Sequence, residues 1–295
     1  MESLLSGQLL FAALVLGGLY ALIALGLNLV YGTMRLLNIA HGDLLMIGGY
    51  GAFLCFTLTG MSPLLGLPVI AAITAGLGIA LYYLLFRGQL SSGKPIPQIE
   101  ANSLLLFFGV SVVTQNVIAL AFSATPRAYR YLDDVYQFGQ VAMTGNRIAA
   151  LAIALTCLVA IILVLNRTMF GMSIKALIQN RDAARIVGIN VERVQLTSIA
   201  LGFGVAGIAG GLVSMAEQIS PFMGFPFTIA SFVVIIMGGL GNVFGGIIAG
   251  FLLAFIEIYA VALTSANMRS ILLYGIFVAV LILRPQGLLG KARQS

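Results

Sequence analysis

An all-α, polytopic membrane protein is the fold that this sequence predicts, and three features predict it. Of its 295 residues, 60% are hydrophobic and 8% charged, more apolar surface than a soluble domain of that size can hide. The apolar residues fall in continuous runs of roughly 20, the length that crosses a bilayer as a helix, rather than in the short alternating segments of a β-barrel. Thirty-five glycines and no tryptophan complete the picture, since glycine lets membrane helices approach closely. The chain reads as one transmembrane domain over residues 1–295.

Nine spans follow in order: Leu9–Tyr31, Asn38–Thr59, Leu64–Phe86, Ser103–Phe122, Ile148–Leu165, Val194–Met215, Phe227–Phe244, Gly246–Leu263 and Ile271–Leu283. The first is kept as a span because Glu2 is the only charge before it and a signal peptide would carry a basic start and a shorter apolar run. With the N-terminus outside, eleven basic residues fall inside: Arg35, Arg87, Lys94, Arg167, Lys175, Arg181, Arg185, Arg193, Arg284, Lys291 and Arg293. Four fall outside: Arg127, Arg130, Arg147 and Arg269. The positive-inside rule therefore places the C-terminus in the cytoplasm. The formal charge of +6 is spread over loops in this way and does not point to nucleic acid. Cys55 and Cys157 both fall inside apolar runs, where buried thiols with a packing role are expected rather than a disulfide.

The longest polar stretch, residues 171–193, reads GMSIKALIQNRDAARIVGINVER. Asn180 is placed to cap a short helix, Asp182 to occupy its first turn, and Gly188 to close it. Ala183, Ala184 and Val187 make a small apolar stripe. A helix this short is not stable alone in water, so the stretch is read as a cytoplasmic coupling segment that docks on a partner through Asn180, Arg181, Asp182, Ala183, Ala184, Val187 and Gly188. The alternative is an ordinary basic loop. The external stretch 123–146 holds Tyr129, Tyr131 and Tyr136, read as interfacial anchors. Residues 88–95, GQLSSGKP, imitate a phosphate-binding loop. Pro95 supplies no hydroxyl for Mg²⁺ and no strand precedes the loop, so no nucleotide site is read there.

Residues 38–51, NIAHGDLLMIGGYG, and 228–241, TIASFVVIIMGGLG, align without gaps. Ile39, Ala40, Gly48, Gly49 and Gly51 match Ile229, Ala230, Gly238, Gly239 and Gly241. The two spans run in opposite directions, so an inverted-topology repeat is expected, residues 9–122 against 194–283, as in many transporters. Both glycine clusters lie about ten residues into their spans, ~15 Å deep, and are read as backbone breaks beside a substrate pathway. Packing through small residues is the plainer alternative. Glu257, midway along the eighth span, is an ionisable group at a depth where such groups are costly and functional. Pathway lining and helix-to-helix hydrogen bonding are both open to it. His41 and Asp43 are placed at the cytoplasmic end of the second span. A single His excludes a histidine-built metal site, and no nucleophile–base set is present, so no catalytic, cofactor or metal role is expected.

Several runs taken together resemble one family. They are Asn38 to Gly42, Gly171 with Ala176, Asp182, Ala184 and Gly188-Ile189, Gly238 to Gly241 with Gly245-Gly246, and Arg284-Pro285-Gln286-Gly287-Leu288. In that order and spacing they are similar to the permease subunits of branched-chain amino-acid ABC importers, of the LivH type. The resemblance implies a bacterial inner-membrane protein paired with a LivM-like second permease, two cytoplasmic ATPases and an external substrate-binding protein. It implies a pathway for branched-chain amino acids, with urea or short amides as alternative cargo. Asn38, His41, Glu257 and the glycine clusters are the residues read here as lining such a pathway. The resemblance also puts the family's coupling helix at residues 180–188. An ion-coupled secondary carrier is the rival reading, since the repeat suits it equally well.

Overall fold

The axis of the molecule is α1 (Gly7–Met34). A computed structural model describes residues 7–139, 141–265, 268–283 and 287; the expectations placed on Arg284, Pro285, Gln286, Leu288, Lys291 and Arg293 lie outside these. At 1.5 Å per residue α1 is ~42 Å long, and every residue from Gly17 to Met34 is buried. A helix that is apolar all round belongs in the centre of a bundle. The later helices α9 (Val191–Ser214) and α11 (Val243–Leu263) flank it. α1 and α9 touch backbone to backbone. A Cβ on Gly26 would lie 2.5 Å from the Gly202 carbonyl oxygen, and one on Gly202 would lie 2.6 Å from that of Gly26. Only glycine permits this approach.

After α1 the chain does not start a new helix at the bundle's end. It turns at Arg35, whose φ is 56°, and runs back as irregular backbone with Leu37 N–H donating to Ser103 Oγ at 3.0 Å. α2 (His41–Thr59) then begins deep inside. His41 Nε2 donates to the Ile23 carbonyl at 2.9 Å, and Ile23 lies eleven residues, ~16 Å, back from the end of α1. The expected start at Asn38 and the expected edge position of His41 and Asp43 are both corrected: the two side chains are buried in the interior. The sequence marks a break around Arg35, but hydropathy cannot tell the irregular backbone of Asn38-Ile39-Ala40 from the first turn of a helix.

α3 (Pro63–Leu81), a π-helical turn (Tyr82–Phe86) and α4 (Arg87–Ser91) form one rod of 29 residues. α5 (Ile96–Phe122) and α6 (Gly145–Arg167) stand at the periphery and expose Leu105, Phe108, Leu120, Val159 and Leu163, as helices facing lipid or another subunit do. Between them β1 (Val135–Phe138) pairs antiparallel with β2 (Val141–Thr144), Val135 opposite Thr144. Tyr129 hydrogen-bonds Ser214 Oγ at 3.0 Å and Tyr131 hydrogen-bonds Ser62 Oγ at 2.5 Å, so these two rings tie the loop to the bundle. Cys55 and Cys157 are free thiols, only partly buried.

α7 (Met169–Gln179) and α8 (Arg181–Ile186) lead into α9. α10 (Gly224–Gly238) and α12 (Arg269–Leu283) have 15 residues each, ~22 Å of helix against ~30 Å of hydrocarbon. The other seven long apolar helices suffice to cross a membrane. The single span expected over Phe227–Phe244 is therefore replaced by a shorter helix, a turn and the start of α11. Gly239 and Gly241 take positive φ of 97° and 82° in that turn, a conformation that glycine alone adopts freely.

The charges separate by end. Arg35, Arg87, Lys94, Arg167, Lys175, Arg181, Arg185 and Arg193 lie in or beside the elements gathered around the Met34 end of α1. Arg127, Arg130, Arg147 and Arg269 lie with the β-hairpin side, near its Gly7 end.

Candidate functional site

The starts of α2 and α10 meet in the middle of the bundle and the two helices then run to opposite ends. A Cβ on Gly224 would sit 2.5 Å from the Gly42 carbonyl. Gly42 N–H donates to Thr228 Oγ1 at 2.9 Å, and Thr228 Oγ1 donates to the Ile39 carbonyl at 3.1 Å. Thr228 thus satisfies one of the free N–H groups at the start of α2. Asn38 is fully buried here, and neither its amide nitrogen nor its oxygen has a hydrogen-bond partner among the described residues; the same holds for His41 Nδ1. Asp43 Oδ1 accepts from Gln115 Nε2 at 2.9 Å, which links α2 to α5.

The two glycine clusters do not share a level. Gly49 faces Ile219 and Ser214, at the end of α9 beside the tyrosine loop, and a Cβ on Gly48 would strike the Gly207 backbone. Gly48, Gly49 and Gly51 are interior residues of a continuous helix. Gly238, Gly239 and Gly241 instead end α10 at the other side of the bundle, with Gly241 beside Gly32. The ungapped alignment therefore matched residues that are not structural counterparts. α2 and α10 begin 183 residues apart, at His41 and Gly224, not 190. Asn28, buried in α1, clasps the second cluster. Its Oδ1 accepts from Gly241 N–H and its Nδ2 donates to the Asn242 carbonyl, both at 2.8 Å. A lone buried Asn in an otherwise apolar helix was the signal for this clasp.

Glu257 has the partners that the sequence did not show. Tyr20 O–H donates to Oε2 at 2.8 Å, and Arg269 Nε donates to Oε1 as an ion pair. Arg269 Nη2 also reaches the Tyr20 hydroxyl at 3.4 Å. Glu257 is 2% exposed, and a buried carboxylate is tolerable when it is paired and hydrogen-bonded in this way. The cluster forms a wall shared by two cavities of about 290 and 320 Å³, which both touch Glu217, Phe227 and Arg269. Among the described residues no group of His, Cys, Asp or Glu could hold a metal ion.

At the Met34 end, α8 is built as expected locally. Asn180 Oδ1 accepts from the N–H groups of Asp182 and Ala183 at 3.0 Å each. Asp182 sits in the first turn, where it complements the helix dipole. Gly188 has φ of 86°, and Ile189 N–H returns to the Ala184 carbonyl at 3.0 Å, which ends the helix in the manner of a left-handed cap. Of the expected apolar stripe, Ala183 and Val187 are exposed one turn apart, and Ala184 is the member that departs. Ala184 is 2% exposed and packs inward, whereas Ile186 and Val187 are 86% and 75% exposed. Arg181 donates from Nη2 to the Leu90 carbonyl at 3.1 Å and anchors α8 to α4. Burial first, then the nearby Arg185 charge, lower its pKa from the ordinary value.

These features define a multi-pass helical membrane protein with a polar cluster in its interior and a capped, apolar-tipped helix at the basic end. The chain matches the family model described as "Branched-chain amino acid transport system / permease component" over residues 9–281, and it belongs to that family. It is 28% identical to the high-affinity branched-chain amino acid transport system permease protein BraD of Pseudomonas aeruginosa, over 96% of this chain and 95% of that one. It is also 28% identical to the probable branched-chain amino acid transport permease protein LivH of Methanocaldococcus jannaschii, over 96% and 92% of the two chains. Against the permease protein LivM of Escherichia coli it is 29% identical, over 93% of this chain and 68% of the relative. No solved structure matches the chain.

Proposed function

We propose that this chain is a permease subunit of an ATP-driven importer in a bacterial cytoplasmic membrane, and that it forms part of the translocation path for branched-chain amino acids. The observation that carries this reading is the family match over residues 9–281. Its partners are a second permease of the same family, two cytoplasmic ATPases and an external substrate-binding protein. ATP is hydrolysed on the ATPases and this chain catalyses no reaction. The N-terminus lies outside and the C-terminus inside, a reading supported by eight basic residues in the elements at the Met34 end of α1 against four toward the Gly7 end.

The chain makes nine passes, two of them half unwound: residues 35–40 with α2, and residues 215–223 with α10. The inverted repeat is the relation between these two broken passes. Its support is that both helices start at the same depth and leave in opposite directions, which is how transporters expose backbone polarity at the midplane. Asn38, His41 and Glu257 line the path, with Gly238, Gly239 and Gly241 giving it a flexible inner end and Gly48, Gly49 and Gly51 letting α2 lie close on α9. α8 couples to the ATPases through Ile186 and Val187, seated by Asn180, Arg181, Asp182, Ala183, Ala184 and Gly188.

The test is reconstitution. The four-part membrane complex in proteoliposomes, with the binding protein supplied outside, should accumulate leucine, isoleucine or valine only when ATP is available to the ATPases. Accumulation by this chain alone under a proton gradient, or no amino-acid uptake by the assembled complex, refutes it.

A further inference from the structure

We propose that the joined cavity beside Glu257 binds a free aliphatic α-amino acid as its zwitterion, the carboxylate on Arg269 and the ammonium on Glu217, with the side chain against Phe227, Leu16 and Leu19. This rests on the reading of the chain as an importer's permease subunit and names where, within that subunit, cargo is recognised.

Three observations carry it. The first is size. Two adjoining spaces of about 290 and 320 Å³ meet at Glu217, Phe227 and Arg269, within the range that takes small organic ligands, roughly 300–1,000 Å³. The second is charge. Arg147, Arg269, Glu217 and Glu257 all line the space, two of each sign, so a neutral molecule with separated charges fits better than an ion of either sign. These groups are not equivalent. Glu257 is already committed to Tyr20 and Arg269. Arg269 spends Nε on Glu257 and reaches Tyr20 with Nη2 only at 3.4 Å. A guanidinium carries five N–H donors, so donors remain for a second carboxylate. Glu217 is exposed to the cavity and forms no ion pair among the described residues. The third is lining. The rest of the wall is supplied largely by aliphatic and aromatic side chains of α1, α10 and α11, among them Val15, Leu16, Leu19, Phe227 and Val261.

Glu257 and Tyr20 are positioning residues in this arrangement. They hold the Arg269 guanidinium against α11 and α1, with its remaining donors free to turn inward. Urea and short amides offer no carboxylate to Arg269 and no ammonium to Glu217, so they forgo both charge-assisted contacts and bind more weakly.

The test uses the assembled importer with Cys55→Ser and Cys157→Ala, so that a single Ala12→Cys at the cavity rim reports occupancy by its rate of reaction with a maleimide. L-leucine should slow labelling. L-leucinamide, 3-methylbutanoate and urea should do so only at concentrations at least ~10-fold higher, the loss expected for one charge-assisted contact. Glu217→Gln should raise the half-protecting leucine concentration about 10-fold while 3-methylbutanoate, which lacks the ammonium, keeps its value. Because Arg269→Gln would strip Glu257 of its partner, Arg269→Lys is the second variant: it keeps the charge, loses the fork, and should weaken leucine and 3-methylbutanoate alike. Labelling that ignores leucine in a complex that still imports it overturns the site and leaves the permease reading standing. Protection by urea equal to that by leucine, or by leucine unchanged in Glu217→Gln, also overturns it. A complex that imports no amino acid removes the permease reading, and the site falls with it.

Discussion

The pairing of Glu257 with Arg269 makes the sharpest stability prediction. Both carboxylate oxygens of Glu257 are engaged, by Tyr20 and by Arg269, and its side chain is 3% exposed. Arg269→Gln leaves that carboxylate buried with one neutral donor; because the Arg269 side chain is 46% exposed, the cost falls below the full buried-pair value, to about 2–3 kcal/mol. Replacing both members, as in Glu257→Met with Arg269→Met, removes the uncompensated charge and should recover most of the loss, because an apolar pair of similar volume is often as stable as a buried ion pair. The double variant is therefore expected to be more stable than Arg269→Gln alone, by roughly 2 kcal/mol or more. The assay is thermal unfolding in detergent, followed by reaction of a fluorogenic thiol dye with Cys157 as the bundle opens. At roughly 2–4 °C per kcal/mol for a chain near this size, the single variant should lose about 4–12 °C. If Arg269→Gln and the double variant melt at the same temperature, the charge on Glu257 is not held by Arg269 and the reasoning fails.

Four other outcomes follow from the packing. Asn28→Ala orphans Gly241 N–H, at about 1–3 kcal/mol, while the Asn242 carbonyl keeps the Gly246 N–H as donor; it should lower the melting temperature by more than Thr57→Ala at an exposed site. Gly42→Ala drives a methyl into the Gly224 carbonyl, where backbone has little room to give, and should cost at least ~1–3 kcal/mol with loss of folded yield. Gly76→Ala, with nothing within 4 Å, should be neutral or stabilising by ~0.5–1 kcal/mol. Ile186→Asp with Val187→Asp, both exposed, should leave stability within about 0.5 kcal/mol yet abolish co-purification of the ATPases; retained co-purification would remove α8 from the coupling interface.

How legible the fold was depends on the range of each interaction. The cap at Asn180, the first-turn Asp182 and the closing Gly188 involve neighbours within a few residues, and all three are where the residue types put them. The family itself was legible from runs spread along the chain. The depth of His41 was not, because an apolar re-entering segment and an apolar helix turn have the same hydropathy. The burial of Ala184 was not legible for a related reason: Ala183, Ala184 and Val187 are close on a helical wheel, but α8, anchored through Arg181 to Leu90, turns Ala184 inward and leaves Ala183, Ile186 and Val187 exposed. Tyr20 and Arg269 were invisible as partners of Glu257, since 237 residues separate the first pair. The repeat was read from identical glycines, which in this chain serve two unlike purposes, close packing within α2 and a turn after α10.

The buried position of α1 has a consequence for how the protein is made. Two of its close neighbours are synthesised long after it: Gly26 meets Gly202, and Gly17 meets Phe251, some 176 and 234 residues later. At synthesis rates of about 5–20 residues per second that is a wait of roughly 10–50 s. During that interval α1 has only its earlier neighbours, the backbone around His41, which bonds Ile23, and then α6, which packs on Gly18; its largely apolar surface suits lipid meanwhile. The centre of the bundle is thus made before the helices that later enclose it, and a polar substitution on α1 would act before those later contacts exist.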